Sequence, residues 1–533
     1  MHKIYRTLLT IVLLLNCNAC TENSTPYDQN EKSPSVSIAV SDDPQAFDPR
    51  LVRNTQSVNI AHMLFEGLTR KNQGGKIVNG LADDITITDE GKTYTFHLRE
   101  SVWSDGSPLT AHDFAYTIKS VLSPSFPSPN ASQLYVIKGA KDVKTGKAPI
   151  ETVGVRVVDD HTLVIELNKP TPYFLELTSA YFFMPVKESW AESETKGGES
   201  MPETIPTNGP FKIEKWSRND QLSLEKNPTY WDANNVRLEH LNLVIVDEST
   251  ALQMFERGQL DWIGSPISFI PPDAVATLRS QKRLVITPAD GIHWFRLNTK
   301  QPLLKNKNFR KALAFSINRQ LLCDHIAQGN QQPATGIVPM SYGLQNIPCF
   351  EDHNVTEAWS HYQEALKEEK LSPDELPKIT ILYPPNDRAQ KIVQAVQQQW
   401  KEVLGIKVNL EVTDSAVFYE RLNHQDYDIA IGSWYGDFRD PINFLDVFKY
   451  KDTRTNNTNW ENPRFVELLD RSINSLDPYR RTILLSQAER VLVDDMPVIP
   501  LYYPTFNHLQ QRVTGVYFSE LGVIDFKHAY IVE

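Results

Sequence analysis

Tyr427, Ile429 and Ile431 alternate along the chain with Asp428, Ala430 and Gly432. That period of two predicts a strand with one buried face, running directly into Ser433, Trp434, Tyr435 and Gly436. A strand that ends in aromatics and a glycine suits a cleft, and the next acid, Asp437, is the group a pocket needs to hold a cation such as an α-amine. Taken alone, the segment reads equally as an ordinary strand exit with solvated acids.

The same patterning divides the rest of the chain. Residues 36–40 alternate as a first strand, and Ile60, Leu64 and Leu68 recur at helical spacing. Ile85 and Ile87, then Tyr94, Phe96 and Leu98, predict a hairpin about the turn at 89–92. Thr110 is placed to cap a helix over 111–121, with Asp113 completing a capping box. A second hairpin frames Asp159, Asp160 and His161, and Pro170 and Pro172 stop its second strand. Strands follow over 211–216, 222–226 and 241–246, then a helix over 248–257 with Gly258 as its cap. Phe309, Leu313, Ile317 and Leu321 fall four apart and predict one amphipathic helix. Ile392, Val393, Val396, Trp400, Val403 and Leu404 predict another, stopped by Gly405 and followed by an alternating strand over 406–412. Helix then strand, repeated, is the pattern of an α/β layer domain.

With 533 residues and a hydrophobic fraction of 41%, two or three domains with sizeable cores are expected. The formal net charge of −12 argues against nucleic acid as a partner. The amino terminus departs from the globular pattern. Lys3 and Arg6 precede an apolar run over 8–15, too short to span a bilayer, and then Ala19 and Cys20. We read residues 1–19 as a signal peptide and Cys20 as the lipidated first residue of the mature chain, with 20–32 as a tethering linker. Cys323 and Cys349 are then an even pair in an oxidising compartment, and a disulfide between them is expected.

Signals for other chemistry are missing. There is no G-x-S-x-G, H-E-x-x-H, G-x-x-x-x-G-K-[ST] or helix-opening G-x-G-x-x-G, so the sequence supports neither an enzyme nor a nucleotide site. The histidines are scattered, two cysteines without a clustered histidine make no metal site, and no cofactor is expected.

The segment WYGDFRDPINFL at Trp434 resembles the W-x-x-D-[YF]-x-[DE]-P-x-x-F-L segment of the extracytoplasmic oligopeptide- and dipeptide-binding proteins that serve ABC importers. The resemblance continues through DPR at Asp48, LFEGL at Leu64, TYTFHLRESVWSDGSPLTAHDFAYT at Thr93, DDHTLVIEL at Asp159, TNGPFKIEKW at Thr207, EKNPTYWD at Glu225, FRKALAFSINR at Phe309 and YIV at Tyr530. It implies an α/β, bilobed type II periplasmic binding protein fold with an additional third α+β domain (cluster C). Domain I would comprise 33–66, 205–292 and 505–533, domain II 67–204 and domain III 293–504. The implied function is a monomeric receptor, lipid-anchored through Cys20 in the periplasm or on the outer face of the cell membrane, that passes peptides to an inner-membrane permease. The alternative is the same fold with a specialised cargo such as a nickel chelate, haem, a sugar or a cell-wall peptide.

The resemblance also implies a site. Arg53, Asn54 and Thr55 on one side and Ser433, Trp434 and Tyr435 on the other would hold the ligand backbone as a strand. Asp437 would pair with the peptide amine, and Tyr502 and Tyr503 would line the pocket. The family's cationic positions for ligand carboxylates hold Ile431, Ala389 and Gln301 here. Carboxylate capture therefore falls to nearby cations, of which Arg53, Arg388 and Lys300 are the candidates.

Overall fold

The computed structural model describes residues 34–532 apart from 45, 53, 196–201, 345–347, 452–454 and 476. The signal segment, Cys20 and Arg53 lie outside the described residues.

Three sheets organise the chain. The first has seven strands in the order Phe211–Ser217, Gln221–Lys226, His240–Ile245, Ser35–Val40, Trp262–Gly264, Thr505–Gln510 and Val285–Pro288. Ser35–Val40 pairs in parallel with His240–Ile245, from Ser35 opposite His240 to Val40 opposite Ile245. Val36, Ile38, Leu241 and Leu243 are buried there, as their alternation requires. The second sheet has six strands in the order Gln332–Pro333, Val498–Tyr503, Gly291–Leu297, Ile429–Tyr435, Ile379–Tyr383 and Val408–Val412. Against it lies the helix Asp387–Leu404, which buries Ile392, Val393, Val396 and Trp400 and ends at Gly405 with φ of 71°. The third sheet, Ala82–Thr88, Thr93–Leu98, Thr162–Glu166 and Val155–Asp159, is antiparallel. The helix Ala111–Leu122 accompanies it, started by the expected capping box, in which the Thr110 amide donates to Asp113 at 2.8 Å. The result is a mixed α/β fold with two large sheets and a smaller α+β unit.

Two chain crossings join the large sheets, and they run side by side. Val285–Pro288 pairs with Thr505–Gln510 in the first sheet, and Gly291–Leu297 pairs with Val498–Tyr503 in the second. Between them the Ala289 amide donates to the Pro504 carbonyl at 3.0 Å. Asp290, 1% exposed, accepts from Ser341 Oγ at 3.1 Å and Tyr342 Oη at 3.0 Å, and its carbonyl takes the Gly436 amide at 2.9 Å. The crossing is therefore anchored to the segment that follows the strand Ile429–Tyr435.

The structure corrects three expectations. The helix predicted through Phe309, Leu313, Ile317 and Leu321 is two helices, Lys307–Phe315 and Arg319–Leu322. Asn318 caps the second by accepting the Leu321 amide, and the buried Arg319 guanidinium donates to the Ala314 and Ile317 carbonyls that the break leaves over. The first helix of the chain, Thr55–Leu64, ends at the extended cap Phe65, so Leu68 is buried outside it. There Gly67 passes so close to the Thr178 carbonyl that a Cβ would lie 2.6 Å from it, which fixes an extended crossing rather than another helical turn. Finally, Cys323 and Cys349 are two separate thiols and not a disulfide. An even count permits a bridge but does not bring two Cβ atoms together. Cys323 is packed into the core, where burial pushes its thiol up to about 12, while Cys349 is half-buried in a loop beside Gly336 and Tyr503.

Candidate functional site

The strand Ile429–Tyr435 is paired along one edge over its whole length, from Leu297 opposite Ile429 to Gly291 opposite Tyr435. On its other edge Ile379–Tyr383 pairs only with Ile429 and Ala430. Beyond Ala430 that edge has no partner strand among the described residues, so Ser433, Trp434 and Tyr435 lie on a half-paired strand. Trp434 is held by its indole Nε1, which donates to Asn443 at 2.8 Å.

Past this edge opens a cavity of about 200 Å³ to which all three units contribute. Asn54 and Thr55 enter it at the start of the first helix, Tyr181 from the α+β unit, and Tyr435, Gly436 and Asp437 from the second sheet. Asn54 also caps its helix by accepting the Ser57 amide at 2.9 Å, so its backbone is held in extended form at the cavity wall. Asp437 is exposed at the cavity wall, with protein on several sides of its carboxylate. That enclosure pushes its carboxyl up to about 6, against the opposing effect of the Gln133 amide, which donates to it at 2.8 Å. The α+β unit thus reaches across to the second sheet. Tyr173 stacked on Phe438 at 4.6 Å is a second such contact.

Beside Tyr435 lies a further group. His293, opposite Ser433 in the neighbouring strand, stacks on Tyr502 at 4.6 Å, and its Nε2 is 3.3 Å from the Tyr435 hydroxyl. Burial, and then the Arg388 guanidinium, push this imidazole down to about 3, so it is neutral. Tyr435 is 43% exposed, yet the protein crowded around it reduces the hydration of its phenolate and pushes the phenol up to about 12, against the pull of Arg388.

The candidate residues accordingly separate. Asn54, Thr55, Tyr435 and Asp437 share one cavity, Tyr502 lies outside its lining and reaches Tyr435 only through His293, and Arg388 is exposed on its helix outside the lining. Tyr503 does not: strand alternation turns it to the opposite face, against Gly336, Cys349 and Glu489. Lys300 is committed to Gln425 Oε1 at 3.1 Å, and Gln301 donates to the Tyr427 carbonyl. Gln133 and His293 escaped the sequence reading. For Gln133 no local signal exists, while His293 was legible as a polar residue in the alternating run GIHWFRL. No group of three or more His, Cys, Asp or Glu side chains that could hold a metal occurs among the described residues.

Tyr435 depends on a glycine. A Cβ on Gly291 would lie 2.7 Å from Tyr435 Cδ1 and 3.0 Å from Pro504 Cγ, so ring and crossing pack directly on bare backbone. Gly291→Ala is expected to cost about 1–3 kcal/mol of stability through overpacking, read as a lowered urea midpoint at unchanged slope. An unchanged midpoint would show that the ring moves aside without loss.

The model of the bacterial extracellular solute-binding proteins, family 5 Middle, matches residues 76–456. The chain belongs to this family. It is 39% identical over 534 residues to the oligopeptide-binding protein OppA of Bacillus subtilis, covering 98% of each chain. With the dipeptide-binding protein DppE of the same organism it shares 30% over 545 residues, 99% of this chain and 98% of that one. Among solved structures, the Haemophilus influenzae OppA complex with RPPGFSPFR superposes with a TM-score of 0.78 at 26% identity, over 94% of this family 5 chain and 100% of that one. The unliganded open form of the murein tripeptide-binding protein MppA gives 0.78 at 26%, over 94% and 98%.

Proposed function

We propose that this family 5 protein is the receptor of an ABC importer, capturing oligopeptides or dipeptides outside the inner membrane and delivering them to a permease. The observation that carries the reading is the half-paired strand at Ser433–Trp434–Tyr435 leading to the carboxylate of Asp437 at the cavity wall. A peptide added along that edge satisfies backbone donors and acceptors with its own backbone, which gives affinity without a choice of side chain. Its protonated amine meets Asp437, which supplies polarity and register. Asn54 and Thr55 close the other side of the same cavity, and Arg53 belongs with them by sequence. Relatives named for oligopeptide and dipeptide binding support this cargo over a chelate or haem. On the same reading, the amino-terminal segment supports a mature chain anchored by diacylated Cys20, acting as a monomer.

Native mass spectrometry of protein purified without refolding tests the cargo. We expect a ladder of masses above the apoprotein that collapses on mild denaturation and sequences as peptides. A co-purified species lacking amide bonds would replace peptide with another ligand class.

A further inference from the structure

A second pocket lies away from the cleft, where the chain enters the fold. The Pro34 carbonyl accepts the Glu239 amide at 2.9 Å and the His240 amide at 3.2 Å, so residues 20–33, read as the tether, join the fold beside the segment that precedes His240–Ile245. In that segment Arg237 is exposed, with its guanidinium 4.8 Å over the Tyr530 ring. Around it opens a pocket of about 520 Å³, lined also by Asn235, His528 and the Asn72–Gln73 turn of the hairpin between Thr69–Lys71 and Ile77–Asn79. The lining contains no aspartate or glutamate.

The positive charge in this pocket is uncommitted. Arg237 has no ion-pair partner among the described residues, and the acids of its own segment are engaged elsewhere, Asp232 by Lys527 at 2.5 Å and Asn235 Nδ2 at 2.7 Å, Glu239 by Lys226 at 3.5 Å. The Tyr530 ring covers one face of the guanidinium and leaves its in-plane N–H donors available. The facing turn is preset. Asn72 Oδ1 accepts the Gly74 and Lys76 amides at 2.9 and 3.0 Å, which leaves Nδ2 as a donor without a partner among the described residues, and Gln73 Nε2 ties the turn to the Gly515 carbonyl at 3.3 Å.

We propose that Arg237, Asn72 and His528 form a headgroup site for the phosphate of an anionic phospholipid in the membrane that holds the anchor. Charge selects the occupant, because an arginine, an amide and an imidazole together offer donors to an anion with no acid in the lining to oppose it. Reach selects its source. Even fully extended, residues 21–33 span at most about 45 Å, so a lipid on Cys20 keeps this face near the bilayer and presents headgroups to it at high effective concentration. The inference rests on the lipid-anchor reading and adds a second point of attachment, which fixes how the receptor faces the membrane where a single tether leaves it free to turn.

Co-flotation with vesicles tests the site. The chain from residue 20 with Cys20→Ser carries no lipid, so its binding reports the protein surface alone. At low salt, where surface charge is least screened, we expect it to float with vesicles of equal parts phosphatidylglycerol and phosphatidylcholine and not with phosphatidylcholine alone. Arg237→Ala should lower the partition about fivefold, the share of one basic side chain at an anionic surface, and Arg237→Lys should keep most of it. Arg218→Ala is the matched control, an exposed arginine over Trp216 at 4.7 Å in the turn at the far end of His240–Ile245. Equal flotation with both vesicles, or equal losses for Arg237→Ala and Arg218→Ala, would overturn the site. So would calorimetric binding of inorganic phosphate that depends on Arg237 while vesicles do not bind, since the pocket would then serve a free anion. Intact mass of the exported wild-type chain checks the anchor separately: absence of a diacylglyceryl group would remove the tether reading and leave the vesicle result standing.

Discussion

Asp437→Asn is expected to weaken binding of a free-amine peptide by about 2–5 kcal/mol, because it removes one partner of an enclosed charge pair and leaves the ammonium uncompensated. The pH dependence gives the sign independently. The empty protein holds the Asp437 carboxyl up to about 6, whereas a bound ammonium requires it ionised. Complex formation must therefore release a proton below pH 6, and affinity should fall by up to about tenfold per pH unit there. Above about pH 8 affinity should fall again as the peptide amine deprotonates. The Asn variant should lose the acid limb and keep the alkaline one. Because the raised pKa means that the ionised carboxylate destabilises the empty protein at neutral pH, Asp437→Asn should also melt no lower than wild type, which separates lost binding from lost fold. Calorimetry with one peptide in free and amino-acetylated forms decides the matter. Near-equal affinities for wild type would remove Asp437 as the amine anchor.

Glu66→Ala is expected to destabilise the protein by about 3–5 kcal/mol, the range for breaking a buried ion pair by deleting one member. Glu66 is 4% exposed, and its carboxylate accepts from Arg70 Nη1 at 2.7 Å, Trp231 Nε1 at 2.7 Å and the Tyr230 hydroxyl. Its backbone is held as well, by reciprocal bonds with the Asn208 side chain. Burial alone would lower the Arg70 pKa, but Glu66 and then Asp525 raise it overall. Deleting Glu66 leaves a buried guanidinium with half of its countercharge at the junction of the first sheet and the α+β unit. Urea denaturation should show a lowered midpoint. A loss below about 1 kcal/mol would mean that Asp525 suffices, as it does for many exposed pairs.

Much of the fold was legible because its elements are amphipathic on their own account. The capping box at Thr110, the glycine stop at Gly405 and the alternation over 406–412 are local signals with local causes, and the strand Val408–Val412 follows them to within two residues. The break at Ser316–Asn318 shows the limit. Four-residue spacing cannot reveal a second cap when a buried arginine, Arg319, pays the orphaned carbonyls. The site was read in the same uneven way. Asp437 and Tyr435 stand in a segment whose chemistry is visible in order, whereas Gln133, 304 positions away, reaches Asp437 only through the packing of the α+β unit. Tyr502 and Tyr503 were treated alike, although period two already placed them on opposite faces. The cysteines were paired by count, which carries no information about distance.

The half-paired strand has one more implication. An unsatisfied strand edge is an invitation to aggregation, and proteins usually blunt it with charge, proline or a bulge. Here the edge beyond Ala430 runs on to Tyr435 and Asp437 at a cavity that Tyr181 of the α+β unit also lines, and Gln133 of that unit donates to Asp437. On the peptide reading, a neighbouring unit beside the edge takes the place of the usual defences and favours a lone extended chain over a finished sheet. The feature that would make this surface hazardous in the open thus becomes, beside that unit, a filter for unstructured cargo.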